Sequence, residues 1–304
     1  FECIRGRFPH QTPIEEPGRA FRRLGFRVSQ PTLKMANLST NRTPQTMRID
    51  LPQPNRVPFI VRLVYLTNRI LPSRDPLRRF GCLLDLEWVL ARLCHEYSLR
   101  VMSPLDQPHT GEAIAFLSRR IDQTHRVLDI GCATGVIAAG VAEFAADVVG
   151  IDRAVADITA ANSEHLAQNL SFEVGDAFDY LLATSSETDV VILSHVLEHV
   201  DEPGILLTRI ARRCRFLYLE VPDFDHSALN RHREHLRREL IYQDPDHRYE
   251  FDRADIRSLL EKSYLRVLDL EYRYGVQRYW CESVQGQGSD PSESAPAVNR
   301  PSAQ

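Results

Sequence analysis

Two spacings of apolar residues alternate along the chain from about residue 126 onwards. Short runs of apolar, often β-branched residues are typical of buried strands, and apolar residues that recur every three or four positions are typical of amphipathic helices. The predicted strands are Arg126–Ile130, Asp147–Ile151, Ser171–Val174, Val190–Leu193, Phe216–Val221, Arg266–Leu270 and Val276–Trp280. The helical patterns between the first five strands cover residues 135–146, 153–168, 176–183 and 202–213.

This alternation predicts the fold class. Strands joined by crossover helices run parallel to one another, with helices on both faces of the sheet. Only Tyr274 and Gly275 separate the last two strand runs, which predicts an antiparallel hairpin at the sheet edge. We therefore expect an α/β fold with a doubly wound, mostly parallel seven-stranded sheet that carries an antiparallel edge hairpin.

An N-terminal helical extension is predicted before the sheet. Helical spacing occurs at residues 58–71, 83–97 and 111–122. One face of the second helix carries Leu86, Val89, Leu90, Leu93 and Tyr97. We expect residues 58–109 to cap the domain at 110–281 or to cover its substrate.

Both ends of the chain have the composition of segments without a core. Residues 1–57 contain seven prolines, and ten Lys and Arg against four Asp and Glu give a charge of +6, so we expect an irregular or disordered basic extension. Its few aromatic residues favour a solvated segment over one that binds nucleic acid. Residues 282–304 lack aromatic residues and are rich in Ser, Pro, Gly, Gln and Ala, which predicts a disordered tail.

Charge and cysteine usage narrow the class of protein. A net charge of −4 over 304 residues does not require nucleic acid or an anionic membrane as a partner. The six cysteines form no Cys-x-x-Cys pair, so we interpret them as reduced thiols of a cytoplasmic protein. The apolar stretch Pro58–Leu71 contains Arg62 and Arg69 and is too short to span a bilayer, so no membrane insertion is expected.

The segment Val127–Gly135 carries the main chemical signal. An apolar strand leads into a turn of small residues, which let a ligand approach the backbone, and the helix that follows offers unpaired N–H groups. Asp152 ends the next strand, where a carboxylate can accept hydrogen bonds from ribose hydroxyls. Because Asp129 would repel a pyrophosphate, and the turn lacks the Gly-x-Gly-x-x-Gly pattern, S-adenosylmethionine is favoured over a dinucleotide.

Over about residues 110–280 the chain resembles the class I S-adenosylmethionine-dependent methyltransferases, which have a Rossmann-like fold. The Asp-Ile-Gly-Cys-Ala-Thr-Gly turn is similar to that family's first motif, although the family usually has glycine in place of Ala133. Gly175–Ala177 is similar to the motif that contacts adenine. The resemblance implies that the cofactor is bound by Asp129, Gly131, Cys132, Ala133, Gly135, Asp152, Asp176, Ala177 and Ser194.

The segment Asp189–Val200 is similar to the family's fourth motif, whose end lies beside the transferring methyl group. Transfer to a hydroxyl requires alignment and removal of a proton. His195 is the first candidate base, and Glu198 and His199 are further candidates for catalysis. The alternative is that these three residues only shape the loop after the fourth strand.

A divalent metal site is an alternative in the same loop. His195-x-x-Glu198-His199 resembles the Glu-x-x-Glu-His pattern of quinone-biosynthesis O-methyltransferases and small-RNA 2′-O-methyltransferases, and Asp246–Phe251 resembles a further segment of the second group. The possible ligands are His195, Glu198, His199 and His247. A histidine in place of the first glutamate weakens the case for magnesium, which prefers oxygen ligands, so a metal is not the favoured prediction.

The acceptor is predicted only as a class. The helical N-terminal part and the polar segment after the fifth strand would form its pocket, and the histidines at 226, 232 and 235 are read as part of a solvated helix. The main hypothesis is O-methylation of a small molecule or a glycan. The alternatives are an RNA 2′-O-methyltransferase with a metal site and a non-catalytic protein that binds S-adenosylmethionine.

Overall fold

A computed structural model describes residues 59–70, 75–183, 188–244 and 246–284. The predicted basic extension at 1–57 lies outside the described residues, as does the predicted tail beyond Val284. The chain divides into two compact units, residues 1–70 and 71–304. The first unit contributes helix α1 (Phe59–Ile70), in which the large apolar side chains at Phe59, Tyr65 and Ile70 are exposed. Among the described helices, none combines the length and the apolar composition needed to cross a membrane.

The second unit alternates helices and strands in the predicted order. Its strands are β1 (Arg126–Ile130), β2 (Asp147–Asp152), β3 (Leu170–Val174), β4 (Thr188–Ser194), β5 (Cys214–Pro222), β6 (Leu265–Arg273) and β7 (Val276–Ser283). Its α-helices are α2 (Pro76–Val101), α3 (Pro108–Leu117), α4 (Val136–Ala142), α5 (Val155–Glu164), α6 (Ala177–Ala183), α7 (Pro203–Ala211), α8 (Ala228–His235) and α9 (Arg253–Lys262). Short 3₁₀ helices occur at Pro104–Asp106, Leu197–His199 and Phe224–His226.

The strands form one seven-stranded sheet in the order β3-β2-β1-β4-β5-β7-β6. Neighbours from β3 to β5 are parallel, and β7 is antiparallel to both β5 and β6, which confirms the predicted fold class and hairpin. Strand β7 continues to Ser283, which pairs with Leu265, so the sheet extends beyond the predicted domain end at residue 281. The strand order reverses between β1 and β4, where ligands bind in open α/β sheets.

Side chains of the central strands alternate between two cores. In β4, Val190 and Ile192 pack into one buried cluster, and Val191 and Leu193 pack into the other. Successive side chains of a strand point to opposite faces, so this alternation means that both faces of the sheet are covered. The first cluster includes residues of α3, α4 and α5, and the second includes residues of α7 and α9.

Helix α2 is longer than predicted and lies differently from the expectation. The predicted apolar face is exposed, with each of its five residues at least 41% accessible: Leu86, Val89, Leu90, Leu93 and Tyr97. The polar side of the helix instead contacts the segment after β5. Ion pairs join Glu87 to Arg233 and Arg92 to Asp244, the latter at 2.7 Å. Periodicity therefore predicted the helix correctly but not the face that contacts the domain.

Candidate functional site

The turn between β1 and α4 depends on backbone conformations that favour glycine. Gly131 and Gly135 have φ angles of 72° and 77°. A Cβ at Gly131 would lie 2.5 Å from a methyl of Val196, and one at Gly135 would lie 2.4 Å from the ring of Phe172. Ala133 adopts a φ of 45°, a left-handed conformation that costs an L-residue about 1–2 kcal/mol. The turn is thus held tightly between neighbouring elements.

Two cavities meet at this turn and share Gly131 and Ala133 in their walls. We call them together the cleft; their volumes are about 250 Å³ and about 720 Å³. The smaller cavity is lined by Asp129, Cys132 and Ser194, and the larger by Asp152, Asp176 and Ala177. The structure thus brings eight of the nine predicted cofactor residues into one cleft. Gly135 is not in its lining, and its φ angle points to a conformational role.

Asp129 lies at the floor of the smaller cavity and is only 2% exposed. Burial, with added repulsion from Asp152, raises the pKa of Asp129 to about 7, although a hydrogen bond from the backbone N–H of Ala138 opposes the shift. A buried carboxylate in such surroundings is stabilised by a cationic partner. The residue is therefore suited to a ligand that carries an ammonium group.

Backbone N–H groups orient two further carboxylates of the cleft, Asp152 and Asp176. Asp152 accepts hydrogen bonds from the N–H groups of Ala133 (3.0 Å) and Ala154 (2.8 Å). Asp176 accepts from Phe178 (2.8 Å) and Asp179 (3.3 Å). A carboxylate has about four acceptor positions, so each still has capacity for ligand hydroxyl or amino groups.

A third cavity, of about 530 Å³, borders the cleft, and we call it the adjoining cavity. His195 and His199 line both this cavity and the larger part of the cleft, and His109 lines both this cavity and the smaller part. The other walls come from α2, the segment after β5 and the β6–β7 turn, represented by Trp88, Arg92, Asn230, Arg233, Gln243, His247 and Tyr274. The N-terminal helical part and the polar segment therefore surround one space.

His195 has both ring nitrogens directed at carboxylates. Its Nδ1 lies 3.2 Å from Glu198 Oε1, and its Nε2 lies 3.3 Å from Glu220 Oε1, an ion-pair contact whose angle is outside the hydrogen-bond range. Burial lowers the pKa of His195, but the two carboxylates outweigh it and raise the pKa well above its usual value. Because the raised pKa keeps both ring nitrogens protonated, the site favours the loop-shaping alternative over the predicted role as a base.

Glu198, His199 and His247 form a group in the wall of the adjoining cavity. One ligand atom from each lies within 4.8 Å of the others. The backbone N–H of Arg248 donates to the carbonyl of Glu198 (2.8 Å), and this contact brings the two segments together. His195 is not a member of this group, although it was among the possible ligands.

The group has the chemistry of a divalent metal site. Glu198 is 1% exposed, and its Oε2 has no hydrogen-bond partner among the described residues. Nδ1 of His247 lies 2.7 Å from Glu250 and Nδ1 of His199 lies 3.3 Å from the carbonyl of Asp246, so Nε2 of each ring is left for a ligand. Imidazoles oriented in this way by a second hydrogen bond are typical of metal ligands, so the residues fit a divalent ion.

Sequence reasoning missed two charged residues of the site. Glu220 in β5 and Arg278 in β7 are 1% and 0% exposed and form an ion pair beneath the loop that carries His195. Glu220 stands inside an otherwise apolar strand pattern, whereas Arg278 follows the polar Gln277, so only Glu220 gave a clear signal. In the segment after β5, His232 and His235 are exposed, as predicted for a solvated helix.

Comparisons with known proteins show which family this chain resembles. A family model described as a methyltransferase domain matches residues 106–270, more than half of the chain. Among curated proteins, the chain is 36% identical over 91 residues to a ubiquinone biosynthesis O-methyltransferase of Azorhizobium caulinodans, covering 28% of this chain and 34% of that protein. It is 36% identical over 90 residues to a protein of the same name from Thiobacillus denitrificans, covering 29% and 38%.

The chain thus spans little more than a third of the length of the curated relatives that it matches. Among solved structures, a magnesium protoporphyrin IX methyltransferase from Synechocystis PCC 6803 with bound SAH is 19% identical, with a TM-score of 0.47. That likeness covers 58% of this chain and 83% of the other.

Proposed function

Since the chain belongs to the family of S-adenosylmethionine-dependent methyltransferases, we propose that it transfers the methyl group of this cofactor to a hydroxyl oxygen of a small molecule. One observation carries the proposal: a buried oxygen of Glu198, without a hydrogen-bond partner in the described part of the chain, stands with His199 and His247 in the wall of the adjoining cavity. His199 also borders the cleft, so the cofactor and the acceptor would meet at this group.

The cleft residues have the chemistry to hold the cofactor in one orientation. Asp129 would pair with the ammonium group of the methionine end, and the Gly131–Gly135 turn would let that end approach the backbone. Asp152 and Asp176 would accept hydrogen bonds from the ribose hydroxyls and the adenine amine. Their hydrogen bonds from backbone N–H groups fix both carboxylates before the ligand arrives, which supports this assignment.

The reaction needs alignment and one proton acceptor. A lone pair of the acceptor oxygen forms a bond to the methyl carbon while the bond between that carbon and sulfur breaks. The electron pair of the broken bond stays on sulfur, which gives S-adenosylhomocysteine. The hydroxyl proton leaves during this step. Oε2 of Glu198 is suited to take it up, because the oxygen is buried, has no donor among the described residues and belongs to a residue of the cavity wall.

In a metal-bound form, Glu198, His199 and His247 would hold a divalent cation, and Oε2 of Glu198 would then be a metal ligand instead of the proton acceptor. Such an ion would polarise the acceptor hydroxyl and lower its pKa. Two imidazole nitrogens and one carboxylate oxygen suit zinc or a first-row transition metal better than magnesium. His195 would support this group through its hydrogen bond to Oε1 of Glu198.

A small acceptor is supported by the size and the walls of the adjoining cavity. Its volume of about 530 Å³ is within the range for small-molecule sites. The matched relatives carry names of O-methyltransferases of ubiquinone biosynthesis, which supports a phenolic or catecholic hydroxyl. An RNA 2′-hydroxyl is the second candidate, because Asp246–Phe251 does place His247 beside Glu198 and His199.

We would measure release of S-adenosylhomocysteine with catechols, hydroquinones, glycosides and a short RNA duplex, each with and without chelator. Glu198→Gln should lower kcat by at least about 100-fold, the usual scale of an acid–base group, and leave cofactor affinity within about threefold. Glu234→Gln is the control, because Glu234 is exposed on α8 and lines none of the three cavities.

Full activity of Glu198→Gln would contradict the role given to this carboxylate. Turnover of RNA alone, with an affinity that falls steeply with salt, would favour the second candidate. Saturable cofactor binding without turnover of any acceptor would overturn the enzymatic proposal and indicate a protein that only binds the cofactor.

A further inference from the structure

A buried ion pair lies beneath the junction of the cleft and the adjoining cavity. Glu220 and Arg278 are directly opposite one another in the antiparallel β5–β7 pairing, and Arg278 Nε contacts Glu220 Oε2. The two residues are 1% and 0% exposed, and neither belongs to the lining of the three cavities. Any effect on the reaction must therefore pass through other residues.

The carboxylate of Glu220 contacts three further side chains. Oε1 accepts a hydrogen bond from the hydroxyl of Ser194 (3.1 Å) and lies 3.3 Å from Nε2 of His195. Oε2 accepts from the hydroxyl of Tyr218 (2.8 Å). The backbone carbonyl of Glu220 also accepts from the N–H of His195 (2.9 Å). One residue thereby fixes both the backbone and the ring of His195.

Arg278 extends these contacts to the opposite wall. Its guanidinium donates to the carbonyl of His109 (3.1 Å) and to Glu271 (3.1 Å). His109 and Ser194 belong to the wall of the cleft, and His195 and His109 belong to the wall of the adjoining cavity. The ion pair therefore holds residues on both sides of the junction at which a methyl group would pass.

Stability alone does not account for such a pair. Moving two charges out of water costs several kcal/mol per ion, and well-packed apolar side chains of similar volume are often at least as stabilising. Tyr218 and Trp280, which point to the same face of β5 and β7 as the ion pair, show that aromatic side chains are buried on this face. What apolar residues could not provide is the set of contacts to His195, Ser194 and the carbonyl of His109.

We propose that Glu220 and Arg278 are positioning residues that fix His195 and, through its hydrogen bond to Oε1, the carboxylate of Glu198. Held in this way, Glu198 keeps Oε2 available for the acceptor. The inference rests on the proposed function of Glu198. It makes the alignment of the acceptor depend on two residues that touch neither the cofactor nor the acceptor.

The test compares Glu220→Gln with a matched control, Asp223→Asn. Asp223 is 2% exposed, forms an ion pair with Arg253 at 2.6 Å and lines none of the three cavities. Both variants lose a buried carboxylate and keep an amide of similar size. Glu220→Gln should lower kcat by about 10- to 100-fold with cofactor affinity within about threefold. Asp223→Asn should lose stability without a comparable fall in kcat.

A double variant separates positioning from a general loss of stability. If Glu220 acts through His195, then His195→Gln combined with Glu220→Gln should be little worse than the more damaged single variant. Additive losses in the double variant would overturn the proposal. A kcat in Glu220→Gln equal to that of the unmodified chain, or no lower than that in Asp223→Asn, would also overturn it.

A second readout does not depend on turnover. In the unmodified chain the ring N–H groups of His195 should give slowly exchanging proton NMR signals, which are identified by their loss in His195→Gln. Glu220→Gln should accelerate their exchange at least about tenfold, and Asp223→Asn should leave it unchanged. Equal protection in both variants would contradict the proposal. If the His195 signals are protected but the chain turns over no acceptor, the positioning of His195 stands and the proposed function is wrong.

Discussion

At the scale of single residues, the burial of charged side chains determines how the groups of the site ionise. Asp129 is held at the floor of the cleft beside Asp152, with a pKa raised to about 7. An acid with a raised pKa in the folded state gains stability from its bound proton below its unfolded pKa, and this stability is lost as the pH rises through the folded pKa. A cationic ligand lowers the pKa of Asp129 again, because it favours the ionised carboxylate.

This lowering of the pKa predicts a pH-dependent affinity for S-adenosylmethionine. Below about pH 7 Asp129 holds a proton that must leave before the carboxylate can pair with the ammonium group. The association constant should therefore rise about fivefold from pH 6.0 to pH 7.2. Both pH values lie below the usual pKa of an α-amino group, so the amino group of the cofactor stays mostly protonated. Calorimetric titrations at the two pH values measure this change. Asp129→Asn should bind the cofactor more weakly than the unmodified chain does, and its affinity should be the same at both pH values. A pH-independent affinity of the unmodified chain would contradict the prediction.

Some residues of the site were predictable because their roles depend on local sequence. Gly131 begins the turn after one strand, and Asp152 ends the next strand. The spacing of residues along the sequence is enough to identify both. The role of His195 was not predictable in this way. Its two partners include Glu220, 25 residues away, which in turn depends on Arg278 across the sheet.

At the scale of elements, helix α2 is held by charges on its polar side. Arg233 of α8 is 3% exposed and donates to the carbonyl of Leu84 (3.0 Å), to Asn230 (2.9 Å) and to Glu87. Arg92 is joined to Asp244 in the same segment after β5. These contacts place α2 along the adjoining cavity.

Replacing Arg233 should loosen this wall. Arg233→Met should lower the free energy of unfolding by about 1–3 kcal/mol, because it removes several hydrogen bonds of one buried guanidinium. It should also raise KM for the acceptor several-fold without changing cofactor affinity. Urea denaturation and steady-state kinetics measure the two effects.

Arg231 on the same helix provides the control. Its ion pairs with Asp225 and Asp252 are partly exposed, and such pairs contribute about 0–1 kcal/mol, so Arg231→Met should change stability little. Equal losses in the two variants would contradict the buried role of Arg233.

Elements were predictable to different degrees. The strands were found because both faces of a doubly wound sheet are buried, which makes each strand a short apolar run. The Asp252–Asp255 capping box at the start of α9 is likewise a local sequence pattern. The orientation of α2 was not predictable from hydrophobic spacing, because buried and partly buried polar contacts rather than apolar residues determine which side of the helix faces the segment after β5.

At the scale of the whole molecule, the second unit brings two binding spaces to one edge of the sheet. The carboxyl ends of β1, β2 and β4 border the cleft, and the loop after β4 separates it from the adjoining cavity. This arrangement follows from the reversal of strand order between β1 and β4. Strand–helix alternation predicted this sheet, and the fold class is confirmed. The segments around the adjoining cavity were predicted, but the contacts that join them, such as the ion pair of Glu87 with Arg233, were not, because they link residues far apart in sequence.

The central claim is that this chain uses S-adenosylmethionine, and a calorimetric titration tests it most directly. The folded protein should bind one equivalent saturably, and NAD should give no binding. Asp152→Ala should weaken the affinity at least about 50-fold, since it removes a charged acceptor of ribose hydrogen bonds, each of which contributes about 1.5–3 kcal/mol. Absence of binding in the folded, unmodified chain, or undiminished binding in Asp152→Ala, would contradict the account.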